Sequence, residues 1–197
     1  MVASPDSATQ ATANGAANDA PLVEVAQRDP HAFAPLYARY FDAVYGYCMS
    51  RIGSHDLAEE ATSRTFAQAL AALPSCRPES FRSWLFAIAH NVVSDQFRRA
   101  QPAHSLAAAE ELPDPTPSPE EIAVAAEQRR SLHALLAHLP EDQRRVMELR
   151  LSGLSGVETA AVLRRSPQAV RSLQFRAVAR LRVLLGHDAA QEETSRP

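Results

Sequence analysis

No segment of the sequence approaches the roughly 18–20 consecutive apolar residues that span a bilayer. Its first 20 residues have neither the basic start nor the apolar core of a secretory signal. No membrane insertion is therefore expected, and the expected location is cytoplasmic. Cysteine is scarce: Cys48 and Cys76 lie far apart and belong to no CxxC or Cys/His cluster, which argues against a disulfide framework or a structural zinc site. Lysine is absent. All 20 basic residues are arginine, a bias that a GC-rich genome explains without invoking function. Aromatics make up only 6% of the chain. There is no glycine-rich phosphate loop and no nucleophile–base constellation. The seven His are scattered, and His133 and His138, five residues apart, do not share a helical face. An enzyme is therefore not expected, nor are catalytic residues, a metal or a cofactor.

The 197 residues allow one domain of ordinary size or two small ones. With 46% hydrophobic and 22% charged residues, collagen-like and fully disordered classes are excluded. The net charge of −3 conceals an asymmetry. Residues 129–182 carry eleven Arg against Glu141, Asp142, Glu148 and Glu158, a balance of +7, whereas residues 100–128 carry six acids and no base. The C-terminal half is thus a candidate polyanion binder with an acidic segment beside it.

Residues 1–20 hold no large apolar side chain beyond Met1 and Val2 and cannot offset the entropy of ordering. A second break runs from Gln101 to Pro119, where Pro102, Pro113, Pro115, Pro117 and Pro119 stand among Ala and acids. Elsewhere apolar residues recur at three- and four-residue steps, with no sustained alternation of the kind strands require. Asp29-Pro30 is a cap and first-turn pair, and Pro35 is expected to kink or restart the helix that follows. Further helices are expected from Ser54–Asp56 to Leu73-Pro74 and from Ser80 to Arg99. In the second half a capping box at Ser118-Pro119-Glu120-Glu121 opens a helix to about His138, which Leu139-Pro140 breaks. The next helix runs from Glu141 to about Ser152, and Gly153 ends it. Two helices follow, about Gly156–Leu163 and Pro167–Leu185, with Ser155 and Ser166 as N-caps and only three residues between them. That spacing makes a helix-turn-helix, whose second helix enters the major groove of DNA.

The expected fold is all-α: two small helical domains joined by a flexible linker, the C-terminal one a helix-turn-helix. The expected boundaries are a disordered tail over 1–21, a helical domain over 22–100, an acidic Pro-rich linker over 101–118, a helical domain over 119–186 and a disordered tail over 187–197. On the last helix Val170, Leu173, Ala177, Leu181 and Leu184 form one stripe, and Gln168, Arg171, Ser172, Phe175, Arg176 and Arg182 lie opposite. Arg reads guanine, Gln reads adenine, Ser holds phosphate and an apolar ring meets a thymine methyl. Gln174 falls within the apolar stripe, where it needs a buried partner or must tilt to the edge. The helix 81–99 is apolar on two faces. Phe81, Leu85, Ile88 and Val92 form one; Phe86, His90, Val93 and Phe97 form the other, either a second core contact or an aromatic platform for unstacked bases.

These residues resemble the extracytoplasmic-function sigma factors over about 22–185. The stretch Asp56-Leu-Ala-Glu-Glu-Ala-Thr-Ser-Arg-Thr-Phe66 is similar to the family's core-polymerase-binding helix. Phe81-Arg-Ser-Trp-Leu-Phe-Ala-Ile-Ala-His-Asn91, followed by Asp95 and Arg98-Arg99, is similar to its promoter-melting helix. Leu139-Pro-Glu-Asp-Gln-Arg-Arg-Val146 and the helix-turn-helix resemble region four. The resemblance implies a protein that binds core RNA polymerase and directs promoter-specific transcription initiation. It implies that Trp84, His90, Asn91, Asp95, Arg98 and Arg99 read and melt the minus-ten element, taking its non-template strand. Arg165, Ser166, Gln168, Arg171, Ser172, Phe175 and Arg176, within a helix-turn-helix over about 155–176, would read the minus-thirty-five duplex. Asp56, Glu59, Glu60, Arg64 and Phe66 would face the polymerase clamp. An anti-sigma factor is an implied partner.

The chain departs from the family pattern at three places. Ser63-Arg64 stands where Gln-Glu is common. Arg164-Arg165 replaces the usual turn Gly, so a left-handed turn there would be strained. Gly156 replaces a frequent aromatic. The charge change at Arg64 leaves one alternative from another class, a DNA-binding regulator that does not bind core polymerase as a sigma factor.

Overall fold

The computed structural model describes residues 19–100 and 131–194. Among these residues all regular structure is helical. The helices are α1 (Ala20–Arg28), α2 (Ala34–Ile52), α3 (His55–Ala72) and α4 (Phe81–Ala100), then α5 (helical residues 131–137), α6 (Glu141–Leu151), α7 (Gly156–Leu163) and α8 (Pro167–Thr194). The expected capping box at Ser118 and the linker 101–118 lie outside the described residues.

Local chemistry accounts for most of the boundaries. The Asp29 side chain accepts a hydrogen bond from the His31 amide and opens a 3-10 turn, Pro30–Phe33, after which α2 restarts with Pro35 in its first turn. Gly53 ends α2 in the left-handed region, at φ 74°. Ser155 caps α7 in a full capping box with Glu158, and the Ser166 hydroxyl accepts from the Ala169 amide at the start of α8. Ser80 stands immediately before α4. It ends a 3-10 turn, Pro78–Ser80, and its hydroxyl donates to the Arg77 carbonyl.

Two boundaries differ from the sequence expectation. Helix α1 begins at Ala20, inside the stretch 1–21 expected to be disordered, and Val23 and Ala26 are buried. Tertiary contacts hold it. Asp19 is 1% exposed and accepts from the Tyr40 hydroxyl and, at 2.5 Å, from Arg39. Gln27 donates to the carbonyls of Leu73 and Cys76. Helix α8 continues to Thr194, through most of the expected C-terminal tail 187–197.

The N-terminal module centres on aromatic packing. Phe33 meets Phe66 and Phe81 edge-on with ring centroids 6.4 Å apart, and Tyr37 lies 4.6 Å from Phe66. Both apolar faces of α4 are used: Leu85 and Val92 are buried, and so are Phe86 and Val93. On the second face Phe86 and Val93 are packed in the core, His90 is half-buried and Phe97 is exposed. In the C-terminal module Val146, Ala160, Val170 and Leu173 form the helix-turn-helix core, while Leu136, Leu139 and Ala177 hold α5 against α8.

The two modules also pack on each other. Helix α4 lies against α7, and α2 against α6. Leu149, Leu154 and Val162 of the C-terminal module join the hydrophobic cluster of the N-terminal one.

Candidate nucleic-acid interface

Helix α8 separates its faces as its sequence dictates. Val170, Leu173 and Ala177 are buried, and Gln168, Arg171, Ser172, Phe175 and Arg176 are exposed together on the other side. Phe175 is 75% exposed, an arrangement that water disfavours for a ring and that contact with a thymine methyl would relieve. The Arg176 guanidinium bonds the Ser172 carbonyl at 3.3 Å, which steers it along the helix surface. Arg165 reaches Asp142 of α6 at 2.8 Å and links the turn to the rest of its module. Gln174 is half-buried at the edge of the stripe.

The turn before α8 is set by Arg164. Its φ of 52° and ψ of 44° are left-handed, and it is the one non-glycine residue with positive φ among those described. The strain expected where the turn glycine is replaced is therefore present in the backbone. Gly156 has open space around its missing Cβ, so its lack of a side chain leaves no clash to avoid.

On α4 the residues expected at a melting surface have different environments. Asn91, Arg98 and Arg99 are exposed. Asp95 pairs with Arg98 one turn on, which presents a carboxylate and a guanidinium side by side. Trp84 is half-buried and packs near Phe81. His90 is half-buried, and its Nδ1 shares a hydrogen bond with the Tyr47 hydroxyl at 2.9 Å. Burial, then the nearby Arg145 and Arg51, push the His90 imidazole down to about 4, so it is neutral at pH 7.

On α3, Asp56, Glu59 and Glu60 are exposed. Arg64 lies 3.8 Å from Glu60, so the unusual cation is answered within its own helix. Phe66 departs from expectation. It is 5% exposed and clasped by Phe33 and Tyr37, so it belongs to the core and cannot face a partner. Its position in the helical rhythm with Ala58, Thr62 and Ala69, all buried, is the physical reason.

The sequence reading missed a polar junction between the modules. Arg51 of α2 is 5% exposed and donates to Glu148 and Glu141, both at 3.0 Å. Its guanidinium also lies 5.4 Å from the Phe97 ring centroid. Burial would lower Arg51, but Glu148, Tyr47 and Glu141 together hold it above its usual value. Glu148 is pushed up to about 7 by burial, against the pull of Arg51. Burial also opposes ionisation of Glu141, but hydrogen bonds from Arg144 and Arg51 bring it down to about 2.

Residues 36–102 match the family model for sigma-70 region 2, and residues 129–181 match that for sigma-70 region 4. The chain is 36% identical over 174 residues to the ECF RNA polymerase sigma factor BldN of Streptomyces coelicolor, covering 85% of this chain and 66% of that protein. It is 34% identical to the ECF RNA polymerase sigma factor ShbA of Streptomyces griseus, covering 79% of this chain and 88% of that protein. Among solved structures, CnrH in complex with the cytosolic domain of CnrY aligns with a TM-score of 0.69 at 28% identity, over 86% of this chain and 98% of that one. The sigma factor RpoE from Bartonella quintana, in complex with the anti-sigma factor NepR, shares the fold with a TM-score of 0.60 at 24% identity, over 78% of this chain and 96% of that one.

Proposed function

The chain belongs to the extracytoplasmic-function sigma factors, and from that premise we propose how its surfaces divide the work of promoter-specific transcription initiation. The exposed face of α8 (Gln168, Arg171, Ser172, Phe175 and Arg176, with Arg165 and Ser166 at its entry) reads the minus-thirty-five element in the major groove. Asn91, Asp95, Arg98 and Arg99 take the minus-ten element and its melted non-template strand, with Trp84 and His90 as the half-buried floor beneath. Asp56, Glu59, Glu60 and Arg64 form the surface for core polymerase, and Phe66 supports it from within the core. The bond-forming chemistry belongs to the polymerase. This chain positions the promoter, and its place of work is the cytoplasm.

The observation that carries this reading is the sorting of α8: five side chains suited to DNA are exposed together, while the opposite stripe is buried in a helix-turn-helix core. An anti-sigma factor is a further proposed partner, because the similar proteins CnrH and RpoE were solved bound to CnrY and NepR. The test is run-off transcription with bacterial core polymerase on a pool of promoter fragments from the source genome. Discrete transcripts that require the protein, with start sites that align to shared upstream elements, are expected. Intact duplex binding without any transcript would overturn the sigma reading in favour of a DNA-binding regulator.

A further inference from the structure

Helices α2, α4, α5 and α6 meet around a cavity that the proposed reading of the promoter does not use. Its volume is about 280 Å³, close to the lower end of the roughly 300–1,000 Å³ of small-molecule pockets. Arg51 of α2, Phe97 of α4, Ala137 of α5 and Arg145 of α6 are among the residues that line it.

The lining carries more positive than negative charge. Arg51, Arg144 and Arg145 stand against Glu141 and Glu148, three guanidiniums to two carboxylates, a balance of +1. Glu141 already accepts from all three arginines, and Glu148 accepts from Arg51. Burial pushes Glu148 up to about 7 against the pull of Arg51, so near neutrality it offsets only part of one charge. Hydrogen-bond donors are in surplus too. Nε of Arg51 and Nε of Arg144 are buried without a partner. Arg145 meets Glu141 through its Nε, which leaves its two Nη groups without a carboxylate. The Arg51 side chain is only 5% exposed, and a cation held that deep destabilises the fold unless anions answer it in full.

The missing element is therefore an anion with several acceptor oxygens around one centre. A phosphate has that form, and it accepts from more than one guanidinium fork at a time. Beside the charged cluster the lining turns apolar at Phe97 and Ala137, while Ser94 adds a hydroxyl. We propose that the cavity binds a phosphate group, free or at the end of a small phosphomonoester whose organic part lies against Phe97 and Ala137. Arg144 and Arg145 hold its oxygens, with Arg51 supplying charge from behind.

The test is isothermal calorimetry on the full-length protein at an ionic strength fixed with chloride, with inorganic phosphate and glycerol phosphate as the two probes. One molecule of probe per chain is expected to bind, and the melting temperature is expected to rise with its concentration, as for any ligand of the folded state. Arg145→Gln is expected to weaken both probes about tenfold or more, because hydrogen bonds to a charged group are lost. Ala137→Leu keeps every charge and narrows the apolar side at an exposed position, so it reports on the site even if Arg145→Gln fails to fold. Circular dichroism verifies the fold of each variant. Tighter binding of the ester, with the difference abolished by Ala137→Leu, identifies a phosphomonoester as the ligand. Equal binding of both probes, lost in Arg145→Gln, identifies free phosphate. Absence of binding by either probe would overturn the proposal, and so would affinities that folded Arg145→Gln and Ala137→Leu leave unchanged, since the phosphate would then sit elsewhere. No readout involves DNA or polymerase, so the sigma-factor reading is untouched by any of these results.

Discussion

Two titratable residues at the junction, the half-buried His90 and the buried Glu148, pull in opposite directions with pH. His90 faces Tyr47, Arg145, Arg51 and Glu141, and in the folded protein its value falls to about 4 from an ordinary 6.5. The unfolded chain then binds more protons across that interval, so the stability associated with neutral His90 is fully present above about 6.5 and is lost as pH falls toward 4. Glu148 faces Arg51, Arg144 and Glu141, and its value rises to about 7 from an ordinary 4.5. Here the folded protein binds more protons, so the contribution is present below about 4.5 and is lost as pH rises through 7. Between pH 4.5 and 6.5 the two slopes offset each other, and each single variant should expose the other. His90→Asn is expected to give a melting temperature that falls from pH 4.5 to 7, and Glu148→Gln one that rises from pH 4 to 6.5. Parallel melting profiles for wild type and both variants would contradict these assignments. None of this was legible in the sequence, because Arg51 and Glu148 are separated by 97 positions and no local period links them. Phe66 shows the converse. Its motif suggested a surface, while its step of four from Thr62 already placed it on the buried stripe.

At the scale of elements, the sequence was most informative where a helix carries its own punctuation. Ser155 and Ser166 mark boundaries through local hydrogen bonds, and α7 runs from Gly156 to Leu163 as its pattern indicated. Helix α1 was not legible, because nine residues opening on Ala20-Pro21 have little intrinsic tendency to fold alone. What holds it comes from elsewhere in the chain, chiefly Asp19 on Tyr40 and Arg39. Burial, then the hydrogen bond to Asp19, raise the Tyr40 phenol, which keeps its proton and donates to the carboxylate. Asp19→Ala should leave the buried Tyr40 hydroxyl without that partner, at a cost of about 1–3 kcal/mol. The expected outcome is a melting temperature lower by several degrees and faster amide exchange throughout α1, with unchanged affinity of α8 for duplex DNA. Unaltered exchange in α1 would mean that Val23 and Ala26 suffice to hold it.

At the scale of the whole molecule, charge sorts the work as the hydrophobic pattern sorts the fold. The eleven arginines of residues 129–182 do not act alike. Arg144 and Arg145 pair with Glu141, and Arg165 pairs with Asp142, so those three are partly neutralised within the module. Arg171 and Arg176 are exposed on the face of α8 that carries Gln168 and Phe175. If that face makes about four phosphate contacts, log affinity of the full-length protein for a minus-thirty-five duplex should fall against log salt with a slope of about −3.6. Arg176→Ala should weaken binding to all sequences alike and reduce the slope by about one, as the loss of a phosphate contact requires. Arg171→Ala should instead relax the preference between cognate and altered duplexes by roughly 1–3 kcal/mol while leaving the slope nearly unchanged, as the loss of a base contact requires. Fluorescence anisotropy at four or five salt concentrations separates these outcomes. A slope near zero for the wild-type protein would remove duplex DNA as the partner of α8, whatever core polymerase does with the rest of the chain.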